Sequence, residues 1–391
     1  MNELVLISVS GEDKPGITAT ISKLLGSLDV DILDVGQSVI HNHLSLGILV
    51  NVPDILADVL EALSEQSVRL GVQVRFTPVS EESYEQWVGL QGASRYILTL
   101  LARRIKASHI SAVCEIIAAS GLNIDNITRL SGRVPLHEVG DISKACVEFS
   151  LRGEPGESFR EQLLAVCADL NIDVAVQEDG IYRRNRRLIA FDMDSTLIKT
   201  EVIDELAVQA GVGAEVADIT SRTMAGELDF SMSLAKRVEL LRGLPVSALA
   251  KVADRLPLME GAEHLFKTLN HLGYKTAILS GGFSYFGQLL QAKLGVDYVY
   301  ANELEIAGGV LTGRVLSPIV DADRKADLLK QLADKEGISL QQTIAVGDGA
   351  NDLAMLDIAG LGIAFHAKPL VRESAGHAIS TLGLDSLLYL M

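Results

Sequence analysis

The chain has 391 residues, of which 48% are hydrophobic and 22% charged, so it has enough apolar material for folded cores and is not disordered. Its 34 basic and 51 acidic residues give a formal net charge of -17, which argues against nucleic acid or an anionic membrane as the main partner. At roughly 100–200 residues per domain, a chain of this length is expected to form about three domains.

Terminal, apolar and cysteine patterns all favour a cytoplasmic protein. The first residues lack the basic n-region of a secretory signal, and no apolar run approaches the ~18 residues that a membrane span needs. The three cysteines, Cys114, Cys146 and Cys167, fit neither a disulfide framework nor a zinc spacing, which indicates reduced thiols. We interpret the basic run at 183–187 as an exposed linker.

Strand and helix patterns in the first part of the chain follow the order βαββαβ, which is the ferredoxin-like arrangement. The strands are predicted at 4–9, 31–40, 43–52 and 72–78, and the helices at 17–28 and 55–70. We assign this first domain to residues 1–79.

The same pattern recurs at low identity 92 residues later, where Leu98 takes the place of Leu6. The second βαββαβ unit is assigned to residues 94–178 and contains a polar loop around 131–141. Residues 80–93, with the only tryptophan, link the two units. The chain therefore begins with an internal repeat of one small domain.

Residues 188–391 follow a different pattern. Short apolar strands at 188–191, 276–279 and 343–346 each end in polar or glycine-rich turns, with helical patterns between them. This alternation is typical of an α/β domain with a doubly wound parallel sheet that helices cover on both faces. Ligands of such sheets bind at the carboxyl ends of the strands.

Polar groups stand at each of these strand ends. Asp192 and Asp194 follow the first strand, and they repel each other unless a cation lies between them. Ser280, Gly281 and Gly282 end the second strand, and the run 347–352 with Asp348 ends the third. Lys325 begins a helical stretch between them. Carboxylates at one edge of a sheet favour Mg²⁺, which prefers oxygen ligands.

The run 191–197 (Phe-Asp-Met-Asp-Ser-Thr-Leu), together with Ser280, Lys325 and the run 347–352 (Gly-Asp-Gly-Ala-Asn-Asp), resembles the motifs of the haloacid dehalogenase superfamily. It is most similar to the phosphoserine phosphatase branch, and the resemblance covers nearly all of 188–391. It implies an Mg²⁺-dependent hydrolysis of O-phospho-L-serine to L-serine and phosphate, the last step of serine biosynthesis, through an aspartyl-phosphate intermediate.

The resemblance also implies a role for each motif residue. Asp192 would be the nucleophile, and Asp194 would act as general acid and then as general base. Ser280 and Lys325 would hold the phosphoryl oxygens. The implied metal ligands are Asp192, Asp348 and the main-chain carbonyl of Asp194, with Asp352 nearby. Such roles need the two carboxyl groups of Asp192 and Asp194 to have different pKa values.

More than 80 residues separate Thr196 from Ser280, far beyond the usual 2–6 residues of a βα connection. Their helical patterns predict a cap, at about 198–272, that closes over the site and excludes large ligands. The resemblance implies that Glu201 holds the substrate's ammonium and that Arg237 grips its carboxylate. The remaining expected substrate contacts are Met224 and Phe230, which core packing explains nearly as well, and Gly281 and Asn351.

The run 11–17 (Gly-Glu-Asp-Lys-Pro-Gly-Ile) resembles the opening loop of ACT domains, which often bind amino acids. Asp13 and the amides at Gly16 could hold an effector such as L-serine, although an ordinary helix start explains the run equally well. The second repeat departs from this loop at 106–109, so it is expected to have lost ligand binding, and His109 is interpreted as a loop residue. The ACT-like pair is expected to form a homodimer or higher homo-oligomer.

Two alternatives stay open on the sequence alone. The first keeps the chemistry but acts on another small phosphorylated alcohol such as homoserine, as a phosphatase or a phosphotransferase. The second is an amino-acid-sensing regulatory protein with a vestigial phosphatase domain, against which the intact motif set argues.

Overall fold

The computed structural model describes residues 3–391 apart from 53–55, 134, 136–143 and 225–226. The chain divides into two compact units, Met1–Ala93 and Ser94–Met391. Among the described helices, none combines the length and the apolar character that crossing a membrane requires.

The first unit is a four-stranded antiparallel sheet with helices on one face. Its elements are β1 (Glu3–Glu12), α1 (Ile17–Ser27), β2 (Asp31–Ile40), β3 (His43–Val52), α2 (Leu56–Leu70), β4 (Val72–Val79) and α3 (Glu81–Gly89). The strand order is β2-β3-β1-β4. Ile17, Ile21 and Leu25 of α1 are buried against the sheet, whereas every residue of the edge strand β2 is exposed.

The second unit begins with a sheet of the same order. Its elements are β5 (Arg95–Ala102), α4 (Ala107–Ala119), β6 (Asn123–Arg129), β7 (Ala145–Arg152), α5 (Phe159–Leu170) and β8 (Asp173–Glu178), in the order β6-β7-β5-β8. The repeat predicted from the sequence is thus a repeat of one fold. His109 corrects one expectation, because it lies in the first turn of α4 and is only 5% exposed.

The rest of the second unit is a mainly parallel sheet with helices around it. Its strands are β9 (Leu188–Phe191), β10 (Lys275–Phe283), β11 (Tyr298–Ala307), β12 (Val310–Leu316), β13 (Thr343–Gly347), β14 (Leu361–Phe365) and β15 (His377–Ile379). The order is β12-β11-β10-β9-β13-β14-β15, and β12 alone runs antiparallel to its neighbour in the described sheet. The buried strand β9 therefore lies at the centre, between β10 and β13.

Two groups of helices surround this sheet. The cap contains α6 (Val202–Ala210), α7 (Gly213–Met224), α8 (Phe230–Glu239) and α9 (Ser247–Ala253), and the others are α10 (Ala262–His271), α11 (Ser284–Leu294), α12 (Ala322–Glu336), α13 (Leu353–Ile358) and α14 (Pro369–Ser374). The ring of Phe266 in α10 lies 4.9 Å from that of Phe191 in β9. Because α10 packs on the sheet, the predicted cap boundary at 272 is one helix too long.

The second ACT-like domain packs directly on the catalytic domain. Asp173 at the start of β8 accepts hydrogen bonds from the backbone amides of Ser380 and Thr381, at 2.8 and 2.9 Å. Arg186 is buried and donates to the side chain of Gln177 at 2.8 Å and to the carbonyl of Leu390 at 3.3 Å. The basic run is therefore not wholly an exposed linker, since acceptors from distant segments satisfy a buried guanidinium there.

Candidate active site

The two central strands bring the carboxylates of Asp192 and Asp348 together. β9 and β13 are parallel and in register, with Phe191 beside Val346, so both strands end at the same level. The amide of Asp192 donates to the carbonyl of Val346 at 2.8 Å, which fixes the first residue after β9 against β13. The hydroxyl of Thr196 donates to Asp348 Oδ1 at 3.2 Å.

Lys325 is completely buried between two of the carboxylates. Its Nζ donates to Asp192 Oδ1 at 2.6 Å and to Asp352 Oδ1 at 2.7 Å. The helix that carries it, α12, starts at a cap in which Asp321 accepts from the amide of Arg324. The two carboxylates raise the pKa of Lys325 in spite of its burial, so the side chain stays charged.

The carboxylates outnumber the positive charge beside them. Burial raises the pKa of Asp192 to about 7, although Lys325 acts in the opposite direction. Burial, and then the charges of Asp192 and Asp352, raise the pKa of Asp348 to about 8. Since such shifts come from uncompensated negative charge in a buried site, a cation bound here would be favourable.

Three carboxylates fit a divalent metal ion. One oxygen from each of Asp192, Asp348 and Asp352 lies within 4.8 Å of the others. This all-oxygen set is the chemistry that hard divalent cations prefer. Asp352, expected only near the metal, is a full member of this group because its 3-10 turn brings its carboxylate back to accept from the amide of Gly349 at 2.9 Å.

Asp194 joins the site to the cap. Its Oδ1 accepts from the amide of Val202, at the start of α6, at 2.9 Å. Burial, and then the charges of Glu201 and Asp192, raise the pKa of Asp194 well above its usual value, which favours a proton on this group. Ser195, which follows Asp194 in the chain, has a φ of 57°, and its hydroxyl donates to Glu201 at 2.9 Å.

The end of β10 forms a bulge that exposes backbone to the site. Its pairing with β11 shifts register between Leu279 and Phe283, which leaves residues 280–282 outside the regular ladder. A side chain at Gly282 would place Cβ 2.2 Å from Asp194 Oδ2. A larger residue there would displace the Asp194 carboxylate, and the buried hydroxyl of Ser280 accepts from the amide of Gly282 at 2.9 Å.

A cavity of about 550 Å³ lies between the cap and this edge of the sheet. The predicted site residues that line it are Asp192, Asp194, Glu201, Phe230, Arg237, Ser280, Gly281, Asp348 and Asn351. Lys325 lies buried beneath Asp192, and the side chain of Met224 is outside the described residues. The cavity has room for a small ligand, and charged groups from the cap and from the sheet edge both line it.

Several lining residues were not identified from the sequence. Asp204 and Ser233 reach the cavity from the cap, and Lys368 reaches it from the loop after β14. Burial lowers the pKa of Arg237. The negative charges of Glu201 and Asp204 raise it in turn, so Asp204 helps to keep the guanidinium charged. Each of the three looks like an ordinary helix or loop residue in the sequence, which gave no signal for them.

The fold and the site define a hydrolase class. The chain matches the family described as haloacid dehalogenase-like hydrolase over residues 189–357. Two further matches, both to ACT domains, cover residues 3–77 and 94–177.

Known relatives narrow this class. Phosphoserine phosphatase SerB2 of Mycobacterium tuberculosis is 41% identical over 389 residues, 99% of this chain and 92% of that protein. A phosphoserine phosphatase of Streptomyces coelicolor is 40% identical with the same coverage. The crystal structure of a probable phosphoserine phosphatase from Vibrio cholerae, unliganded, has a TM-score of 0.60 and 36% identity, over 77% of this chain and 87% of that chain. The chain belongs to the phosphoserine phosphatase family and is a phosphatase.

Membership of this family excludes one of the two alternative functions that the sequence left open. A regulatory protein with a vestigial phosphatase domain is wrong for this chain, because its relatives over nearly the full length are enzymes. The geometry agrees, since Lys325 contacts Asp192 and Asp352 directly and Asp348 completes the carboxylate group.

Proposed function

We propose that this phosphatase hydrolyses O-phospho-L-serine to L-serine and phosphate, as the last step of serine biosynthesis, with Mg²⁺ held by its carboxylates. The observation that carries the proposal is that Glu201 and Arg237 line the same cavity as Asp192. A carboxylate and a guanidinium opposite a nucleophile match the ammonium and carboxylate of an amino acid whose phosphoryl group lies at the sheet edge.

The chemistry proceeds in two transfers. The Asp192 carboxylate attacks phosphorus, which forms an aspartyl-phosphate, while Asp194 gives its proton to the departing serine oxygen. Asp194 then takes a proton from water as that water attacks phosphorus, which releases phosphate and restores Asp192. Ser280 and Lys325 donate to the phosphoryl oxygens. Asp192, Asp348 and Asp352 would hold Mg²⁺, which when bound would supply positive charge for these oxygens and keep Asp192 ionised.

A turnover screen tests the substrate. The full chain is incubated with Mg²⁺ and a panel of O-phospho-L-serine, O-phosphothreonine, phosphoethanolamine, phosphohomoserine and an aryl phosphate, and released phosphate is measured. We expect phosphoserine to have the highest kcat/KM, chelation to abolish turnover, and added Mg²⁺ to restore it. Transfer of phosphate to free homoserine, or preference for another compound, would contradict the proposed reaction.

Glu201→Gln and Arg237→Ala are expected to lower kcat/KM for phosphoserine by about 10²-fold, since losing one partner of a charged contact that the bound substrate desolvates costs ~2–5 kcal/mol. An aryl phosphate, which has no amino-acid groups, is expected to change much less. Steady-state kinetics on both substrates measures the difference. Lys236→Ala is the matched control, because Lys236 is the exposed neighbour of Arg237 on α8. Equal losses on both substrates would mean that these residues only hold the cap together.

We also infer that the first ACT domain binds an amino acid such as L-serine. Gly16 precedes α1 with a φ of 96°, and in the described structure no side chain caps this helix start. Its amides are suited to a carboxylate, and the nearby Asp13 is suited to an ammonium. The departure of the second repeat from this loop supports a ligand in the first domain only.

Asp13→Ala and Gly16→Val in the full chain are expected to remove the non-competitive part of inhibition by L-serine and to keep kcat within about twofold. Coupling between an effector site and a catalytic site is typically worth ~1–3 kcal/mol, so the lost inhibition is measurable in serine titrations. Glu12→Gln, at an exposed neighbouring position, is the control. Purely competitive inhibition of the unaltered chain would contradict the effector site.

A homodimer is part of the same proposal. The exposed edge strand β2 presents unpaired backbone and apolar side chains such as Val35 and Ile40, which are 57% and 80% exposed. Such an edge favours pairing with a second copy. The molar mass measured by sedimentation equilibrium tests whether the chain forms this dimer.

The cytoplasmic location of the protein stays a prediction.

A further inference from the structure

The loop after β5 in the second ACT-like domain contacts the chain segment that leads out of the cap. The guanidinium of Arg103 donates from both Nη atoms to the two carboxylate oxygens of Glu260, each at 2.8 Å. Glu260 lies 157 positions further along the chain, where the cap returns to the catalytic domain. A paired fork of this kind fixes orientation as well as distance.

Glu260 is at the point where the cap connection ends. The two chain segments that join the cap to the sheet pair with each other, since Met259 donates its amide to Leu197 at 2.8 Å and Lys199 donates to Pro257 at 3.0 Å. Gly261, the residue after Glu260, has a φ of 79° and directly precedes α10. Any change in the cap's angle relative to the sheet passes through this connection.

The catalytic domain fixes the other side of the same residue. The Glu260 carbonyl accepts from the amide of Leu384 at 2.8 Å. A Cβ at position 261 would lie 2.0 Å from Asp385 Oδ1, so the connection also fits tightly against the C-terminal segment. Lys144, from the second ACT-like domain, forms an ion pair with Asp385. The second ACT-like domain thus contributes two cations here: Arg103 contacts the cap connection at Glu260, and Lys144 contacts the C-terminal segment at Asp385.

The loop that carries Arg103 corresponds in the repeat to the ACT-like loop of the first domain. A shift of 92 residues lays Arg103 on Gly11, at the start of the first domain's ACT-like loop. In the second domain the amide of Lys106 donates to Nδ1 of His109 at 3.3 Å, so a side chain of α4 already occupies the helix start. The loop that lacks an open helix start is the one that contacts the cap connection.

We propose that Arg103 is a positioning residue of this phosphatase, which sets the angle of the cap through Glu260. Glu201 and Arg237 line the cavity from the cap, and Ser280 lines it from the sheet edge. An amino-acid phosphate that contacts all three therefore needs the cap at a fixed position relative to the sheet. A substrate held by its phosphoryl group alone needs only the sheet side. The inference rests on the proposed function for its choice of substrate.

The test compares Arg103→Met, Glu260→Gln and the double variant in the full chain. Each single change is expected to raise KM for phosphoserine about fivefold and leave kcat within about twofold, a size typical of coupled contacting residues. KM for an aryl phosphate is expected to stay within about twofold. The double variant is expected to match the single variants, because both remove the same contact, and Arg103→Lys is expected to restore part of the affinity.

Arg183→Met is the control, because it removes a 2.6 Å ion pair between Arg183, which follows the second ACT-like domain, and Glu148 of β7, neither of which belongs to the cap connection. If it raises KM for phosphoserine as much as Arg103→Met at an equal loss of Tm, general destabilisation explains the effect and the proposal is wrong. Unchanged KM in Arg103→Met, or multiplied effects in the double variant, also overturns it. If the screen identifies another amino-acid phosphate as substrate, the same comparison is made with it, which separates failure of the substrate from failure of the positioning role.

Discussion

Asp192→Asn is expected to lower kcat by more than about 10³-fold, because the amide keeps the size of the side chain but cannot attack phosphorus. The change also removes one of the two anions that contact Lys325 and one of the three carboxylates suited to the metal. Several parts of the site therefore fail together. Steady-state turnover of phosphoserine measures the loss.

A second measurement separates the nucleophile from a merely structural role. Acid-quenched protein that has been mixed with radiolabelled phosphoserine is expected to carry covalent label in the unaltered chain and none in Asp192→Asn. Asp327→Asn is the control, because Asp327 is an exposed residue of α12. Activity of Asp192→Asn within tenfold of the unaltered chain would contradict the two-transfer mechanism.

Lys325→Met is expected to lower kcat by at least about 10²-fold and to destabilise the fold by about 3–5 kcal/mol. Lys325 is fully buried, so methionine fills much of its volume but leaves Asp192 and Asp352 without their shared cation. The pKa of Asp192, which Lys325 lowers in the unaltered chain, then rises, and Asp192 is a poorer nucleophile when it holds a proton. Turnover and urea unfolding without added metal measure the two effects.

The exposed Lys330 provides the control for this helix. It lies on α12 and pairs with Asp327 at 3.5 Å, where both side chains are more than half exposed. Lys330→Met is therefore expected to leave turnover and stability almost unchanged, as exposed ion pairs contribute little. A Lys325→Met variant that keeps a third of the activity would show that the buried ammonium is not needed for phosphoryl transfer.

The placement of Asp192 and Asp348 at one edge of the sheet could be predicted because it follows from local patterns. Asp192 and Asp348 each come directly after a short apolar strand, and parallel strands end at one edge of a sheet. The repeat of the first two domains was equally visible, since apolar positions at a fixed offset specify the same strands and helices. These features depend on residues close together in the sequence.

Other features depended on which distant segments meet. The cap boundary was set by the packing of α10 on Phe191, and the helical pattern of α10 looks the same on the cap or on the sheet. Asp204 and Lys368 line the cavity without any motif to mark them. Arg186, read as part of an exposed linker, is buried because Gln177 and Leu390 supply acceptors.

The sequence by itself determined the order of the elements, the repeat and the groups at the strand ends, because periodicity and strand-end chemistry are written in neighbouring residues. The tertiary structure decided the pKa values of the buried carboxyl groups and the ion-pair partners of the charged side chains. Burial raises the pKa of Asp192 to about 7 against the opposing effect of Lys325, which is 133 positions away. Arg103 contacts Glu260 across 157 positions. Burial and long-range pairing arise only when the chain folds, and no local pattern contains them.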